Sequence, residues 1–205
     1  MSKAIIFTGS EAPAEIPADL QIDGSFIIAA DSGFDLAVRW GVNVDLLVGD
    51  FDSLSQGSAP PAGEILRFER DKDISDTEIA VREALAREVE GWELVGGGEG
   101  RLDHLLSIFA LFGSYGPPSR WYTRLETLYL VQSESRFSNL APGTTVGIIP
   151  AIPGGNSRVS TTGLHWDVSD FPIDAIHISL SNRVDDADAT VRCAGDPVFF
   201  SIVSI

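Results

Sequence analysis

Short carboxylates in loops at the ends of apolar runs are the chemistry-bearing feature of this chain. Nine aspartates fall between Asp31 and Asp103. The densest groups are Gly49-Asp50-Phe51-Asp52-Ser53 and Asp71-Lys72-Asp73-Ile74-Ser75-Asp76. Carboxylates crowded in this way repel one another unless something positive sits among them. A hard divalent cation carrying a polyphosphate meets that need. The predicted chemistry is magnesium-dependent phosphoryl or pyrophosphoryl transfer.

The first group follows the apolar run Leu46-Leu47-Val48. In open α/β sheets ligands collect outside the carboxyl ends of strands, which is where Asp50 and Asp52 would stand. In extended backbone, residues two apart face the same way, so both carboxylates address one cavity. A polar turn with Asp52 or Ser53 as a cap is the plainer reading of the same residues. The second group follows another strand-like run and precedes a helix. There Asp71, Asp73 and Asp76 adjoin a helix N-terminus, which favours phosphate, while Asp76 also serves as ordinary first-turn charge. Lys72 either neutralises a phosphate oxygen or moderates its acidic neighbours. Ala30-Asp31-Ser32-Gly33 adds a fourth carboxylate site at a strand-to-helix turn.

A glycine-rich stretch, Gly96-Gly97-Gly98-Glu99-Gly100-Arg101-Leu102-Asp103-His104, is the third element. Glycines let backbone amides approach phosphate, and Arg101 offers a planar fork of donors. His104 can hold a phosphate, orient Asp103, or satisfy a buried hydrogen bond; the last is the default for a lone histidine near a helix start. There is no GxxxxGK[ST] loop, and Thr8-Gly9-Ser10 does not make a dinucleotide fingerprint.

These residues need elements to position them. Strands are predicted at 4–8, 26–29, 46–48, 65–68 and 93–95, with helices at 33–40, 76–89 and 102–112. That alternation builds a parallel sheet with helices on its faces. Ser75 and Glu78 have the spacing of a capping box, and Ser32 with Asp35 a weaker one. Val81, Leu85 and Val89 are read as the buried stripe of the second helix, and Leu102, Leu105, Leu106 and Phe109 as that of the third. After Pro117-Pro118 the rhythm changes to strands at 128–131, 145–149, 175–180, 190–193 and 198–203. This half reads as an antiparallel sandwich or barrel-like sheet. The expected architecture is an α/β, Rossmann-like parallel-sheet domain over 1–124 and an antiparallel β-sandwich over 125–205. Residues 121–123 are read as a further strand of the first sheet. Trp40, Trp92 and Trp121 are read as core packing.

Composition sets bounds. The chain has 205 residues, 44% of them hydrophobic, and a net charge of −16. Such acidity, without a basic footprint, argues against a nucleic-acid partner. No apolar run has membrane-spanning length, and the N-terminus lacks a secretory pattern, so a cytoplasmic protein without a membrane partner is expected. The single cysteine, Cys193, excludes an internal disulfide and reads as a core or near-core thiol.

Taken in order, Asp31-Ser32-Gly33, the Asp50 and Asp71 groups, Gly100-Arg101-Leu102-Asp103-His104, Thr161-Thr162-Gly163-Leu164-His165-Trp166 and Ser179-Leu180-Ser181-Asn182 resemble the thiamine pyrophosphokinase family. The resemblance implies transfer of pyrophosphate from ATP to the hydroxyethyl group of thiamine, releasing AMP. It implies a homodimer with sites shared between subunits, the first domain binding ATP and Mg2+ and the second binding thiamine and forming the dimer. It makes Asp50, Asp71 and Asp73 the magnesium and catalytic candidates, with Asp76 joining the catalytic set. Asp31, Asp52, Lys72, Gly100, Arg101, Asp103 and His104 complete the polar cleft. Trp166, Ser181 and Asn182 resemble the vitamin-binding segment, although a sandwich-core tryptophan and a turn are the structural readings of the same residues.

Three positions depart from the family pattern: Ser75 for threonine, Glu99 for glycine, and His165 for the lysine before the tryptophan. They leave room for a thiamine analogue as substrate, and the closest enzyme alternative is a kinase or pyrophosphokinase of another small heterocyclic alcohol. A non-catalytic nucleotide- or thiamine-binding regulator is the remaining alternative.

Overall fold

The computed structural model describes residues 3–9, 11–50, 62–69 and 73–204. The chain divides into two compact units, Met1–Leu111 with Pro118–Arg124, and Phe112–Pro117 with Leu125–Ile205.

The first unit is built on β1 (Ala4–Phe7), β2 (Phe26–Ala30), β3 (Val44–Gly49), β4 (Ala62–Arg67), β5 (Trp92–Val95) and β6 (Arg120–Tyr122). They pair in the order β6-β5-β1-β2-β3-β4, every pair parallel. The central strands are apolar along their whole length because both faces are covered. Ile5, Phe7, Ile27, Ala29 and Leu47 form one core with Phe34, Leu36 and Ala37 of α1 (Gly33–Arg39). The alternate residues Ala4, Ile6, Ile28, Leu46 and Val48 are equally buried. The remaining helices are α2 (Asp76–Ala86) and α3 (Leu102–Tyr115). From β1 the chain order runs outward through β2 and β3 on one side, while β5 and β6 lie on the other. The carboxyl ends of β1 and β5 therefore flank a topological switch point, where open sheets leave a crevice.

The second unit contains β7 (Glu126–Val131), β8 (Glu134–Phe137), β9 (Thr145–Pro150), β10 (Ser157–Thr162), β11 (Phe171–Ile173), β12 (Ser179–Arg183), β13 (Ala189–Gly195) and β14 (Val198–Val203). Two antiparallel sets, β12-β9-β14-β7 and β11-β10-β13-β8, enclose one core. Val131, Val146, Ile148, Val198 and Phe200 come from the first set, and Val159, Ile173, Ala189 and Val191 from the second. An α/β domain followed by an antiparallel β-sandwich is thus the fold.

Several local expectations are corrected. Residues 175–178 are not strand. The Asp174 carboxylate accepts the backbone N–H groups of Ile176 and His177, each at 2.8 Å, and this local turn displaces the strand to Ser179–Arg183. Helix α2 ends at Ala86, before Val89, because Glu88 adopts φ 53° and turns the chain away. Its buried face is Thr77, Ala80, Val81 and Ala84, while Leu85 is 41% exposed. On α3 the buried residues are Ile108, Leu111 and Phe112; Leu102 and Leu106 are 68% and 56% exposed. Ser32 makes no side-chain cap at α1. Strands β8, β10 and β11 were not anticipated, their sequences being mostly polar or very short.

Candidate functional site

A cavity of about 310 Å³ opens at the switch point of the first unit. Thr8 and Gly9 reach it from the end of β1, Ala30 and Asp31 from β2, and Gly97 from the loop after β5. Ser75, Asp76 and Thr77 bring the first turn of α2, and His104, Ser107 and Ile108 the first turns of α3. Ser32 of the β2–α1 turn completes the wall. Three strand-to-helix junctions and the end of β1 thus converge, and each supplies hydroxyl, carboxylate or backbone groups.

Local sequence explains the geometry. Asp31 has φ 46°, a left-handed conformation open to aspartate at modest strain, and its N–H bonds to Val48 O at 2.8 Å. The carboxyl end of β3 lies close by, since a Cβ on Gly49 would fall 3.3 Å from Asp31 Cα. Ser75 caps α2 by accepting the Glu78 N–H at 3.1 Å, which fixes where that helix presents its N-terminal amides and positive dipole end. The Thr8 and Thr77 hydroxyls meet at 2.7 Å in a buried contact that ties the end of β1 to α2. Gly97 has φ 75°, a left-handed conformation that favours glycine, and a Cβ there would meet the Ile108 and Thr8 side chains at 2.4 and 2.9 Å.

Of the residues singled out in the sequence, Asp31, Asp76 and His104 share this wall. Asp50 lies half-buried at the end of β3, where its carbonyl accepts Arg67 Nη2 at 3.4 Å. Asp73 is exposed just ahead of α2. Gly100, Arg101 and Asp103 lie outside the described wall, all exposed. The Arg101 guanidinium grips Asp103 with two hydrogen bonds and holds its carboxyl below the usual carboxylate range; the His104 N–H adds a third bond at 3.0 Å. Asp52, Asp71 and Lys72 lie outside the described residues. Among the described residues no three His, Cys, Asp or Glu side chains gather as a ready-made cation site.

Thr8, Thr77 and Ser107 were not foreseen. Ser107 carried a usable signal, standing one helical turn beyond His104. For Thr8 and Thr77 there was only their position at an element end.

In the second unit Asn182 of β12 is bonded to the main chain of Trp166, and Ser181 precedes Asn182 on the same strand. Trp166 is 57% exposed, and the Arg183 guanidinium sits 5.3 Å from the centre of its ring. Asn182 is 5% exposed and occupied with main chain. Its Oδ1 accepts the N–H groups of Trp166 (3.2 Å) and Arg183 (2.8 Å), and its Nδ2 donates to Trp166 O at 2.9 Å. Ser181, with φ 54°, lies at a register shift in the pairing of β12 with β9, a bulge that turns the residue outward. His165 Nδ1 lies 3.0 Å from an Asp185 oxygen, and its ring stands edge-on to Trp166.

Comparison with known proteins agrees with this layout. A family model described as thiamin pyrophosphokinase, catalytic domain, matches residues 18–115. A second, thiamin pyrophosphokinase, vitamin B1 binding domain, matches residues 131–196. A solved thiamine pyrophosphokinase from Bacillus subtilis is 16% identical, with TM-score 0.79 and 100% of both chains covered. The thiamin pyrophosphokinase from Geobacillus thermodenitrificans is 21% identical with TM-score 0.75, covering 100% of this chain and 98% of that one. The yeast thiamin pyrophosphokinase is 16% identical with TM-score 0.68, covering 99% and 86%. At these identities the solved structures speak to the fold. No curated protein matches.

Proposed function

We infer that this chain, which belongs to the thiamin pyrophosphokinase family, moves the pyrophosphoryl group of ATP onto the hydroxyethyl oxygen of thiamine. Family membership makes it a kinase-type transferase; donor, acceptor and residue roles are the proposal. One observation carries it: the hydroxyl- and carboxylate-lined cavity at the switch point draws all its lining residues except Thr8 and Gly9 from the span of the catalytic-domain match.

In this reading the cavity receives the nucleotide phosphates. The α2 N-terminus and the Thr8, Ser32, Ser75 and Ser107 hydroxyls offer donors, and Gly97 brings main chain to the cavity wall. Lys72 and Arg101 are the cationic candidates. The donor set suits magnesium. Asp50 just after β3 and Asp73 just ahead of α2 offer hard oxygens, Asp71 joins them in sequence, and Mg2+ binds through one or two carboxylates with water and phosphate rather than a protein cage. Bound there, the ion would spread the negative charge of the triphosphate. The thiamine hydroxyl oxygen bonds to the β-phosphorus as the bond from that phosphorus to the α–β bridging oxygen breaks. AMP leaves, and the hydroxyl proton passes to a neighbouring carboxylate or to water. Asp76 and Asp31 orient the reacting groups, so catalysis rests on positioning and electrostatics.

Trp166 and Ser181 are the proposed thiamine contacts, with Asn182 bracing the Trp166 main chain. A homodimer with shared sites belongs to the same proposal, and light scattering in solution tests it. A different heterocyclic alcohol is favoured by one observation: a cation, Arg183, already occupies a face of Trp166, where a cationic thiazolium gains less. Incubation with ATP, magnesium and thiamine, followed by identification of both products, decides. Thiamine diphosphate with AMP is expected; ADP, or no reaction with thiamine, overturns the assignment.

A further inference from the structure

We propose that Arg124 and Glu99 form a latch that holds the glycine loop in its phosphate-ready shape, making them positioning residues for nucleotide binding. The proposal rests on the reading of the cavity as a nucleotide site.

Four consecutive residues at the end of β6 each hold one feature of the loop after β5. Trp121 Nε1 donates to Gly96 O at 2.7 Å, and Tyr122 O accepts the Gly96 N–H at 2.8 Å. Thr123 fills the space beside Gly98, where a Cβ would lie 2.2 Å from its Cγ2. Arg124 then closes the contact on Glu99, with Nε at 2.9 Å and Nη2 at 2.7 Å from Oε2. Gly97 borders the cavity, with Thr8 and Ile108 against it.

The arrangement gives Glu99 a reason to exist. A carboxylate in a loop meant for polyphosphate repels its ligand, and in a chain of charge −16 nothing remote offsets it. Arg124 cancels that charge locally and uses the side chain as an anchor, with Glu11 as a more distant partner at 3.5 Å. Clustered glycines lose the most backbone freedom on ordering. A loop ordered beforehand does not charge that loss against ligand binding.

The test uses the intact protein and four variants: Arg124→Ala, Glu99→Gln, Arg124→Lys, and the exchanged pair Glu99→Arg with Arg124→Glu. ATP with magnesium is titrated calorimetrically, and KM and kcat are measured separately. Arg124→Ala and Glu99→Gln are each expected to weaken ATP binding about three- to ten-fold. KM for ATP should rise in step while kcat stays within about twofold, the split expected of lost binding alone. Arg124→Lys and the exchanged pair should recover most of the affinity. Unchanged affinity in either single variant overturns the latch. So does a loss with Arg124→Ala but not Glu99→Gln, which would make Arg124 a direct phosphate contact. Amide exchange at Gly97 in nucleotide-free protein reads the latch by itself and should quicken several-fold in both single variants; no change there also overturns it. Failure of the unsubstituted protein to bind ATP would instead defeat the proposed function.

Discussion

The two units treat polar side chains in opposite ways. In the parallel-sheet unit, Asp31, Asp76, His104 and several hydroxyls border a cavity at strand ends. In the sandwich, residues of the same types are absorbed by the backbone. Asp167 takes the Thr161 hydroxyl and the N–H groups of Gly163 and Leu164 at 3.0–3.2 Å. Asp174 does likewise in its own turn and Asn182 from β12. Parallel strands end without hairpins, so their junctions leave polar groups facing a crevice. Antiparallel strands are joined by tight turns that need side-chain acceptors of their own. A polar loop residue therefore points to chemistry in the first unit and to structure in the second.

The strongest way to break that contrast is Asp73→Asn. Asp73 is exposed and precedes α2, so the fold does not depend on it. Turnover should fall on the order of 10²-fold or more, as when one preorganised electrostatic contact is lost. Stability should move by no more than about 0.5 kcal/mol, as for an ordinary surface substitution. Steady-state kinetics beside a urea titration checks both, and undiminished turnover would remove Asp73 from the site.

What the sequence disclosed follows the same division. Strands β1 and β2 were legible because burial on both faces makes them continuous apolar runs, and β3 and β5 because each is apolar but for one acid, Asp45 or Glu93. The α2 cap was legible because Ser75 and Glu78 interact locally. Asp31, Asp76 and His104 stood out by their position at strand and helix ends. The meeting of Thr8 with Thr77 was not legible, since it depends on a contact 69 residues apart in the chain. The run 175–180 misled because apolar alternation does not register an Asp174 carboxylate seizing two amides. Likewise nothing in the sequence pairs Glu99, which departs from the family's glycine, with Arg124, 25 residues on, which the fold places against it.

Asn182→Ala sharpens the comparison from the other side. It strips partners from the Trp166 and Arg183 N–H groups and from Trp166 O around a buried amide. The expected loss is about 2–3 kcal/mol of stability, since buried groups left unsatisfied cost more than a hydrogen bond contributes. Chemical denaturation followed by circular dichroism measures it. Unchanged stability with lost thiamine affinity would mean that the sandwich, too, commits this side chain to ligand.

The smallest expected effect at neutral pH concerns Tyr122, which is fully buried at the end of β6 with its hydroxyl 3.3 Å from Arg120 Nη1. Burial is the main cause that pushes its phenol above the ordinary value of 10.0, the Arg120 hydrogen bond opposing it. The folded chain therefore keeps the proton at pH values where the unfolded chain has released it. This contribution to stability is complete below pH 10.0 and declines as pH rises from there toward the folded-state value. Tyr122→Phe should cost about 0.5–1.5 kcal/mol at pH 8 through the lost hydrogen bond. It should also flatten the alkaline decline, because no proton is then released on unfolding. Urea midpoints between pH 8 and 11 read both effects. Parallel declines in the two proteins would place the alkaline weakness elsewhere and free Tyr122 of any part in it.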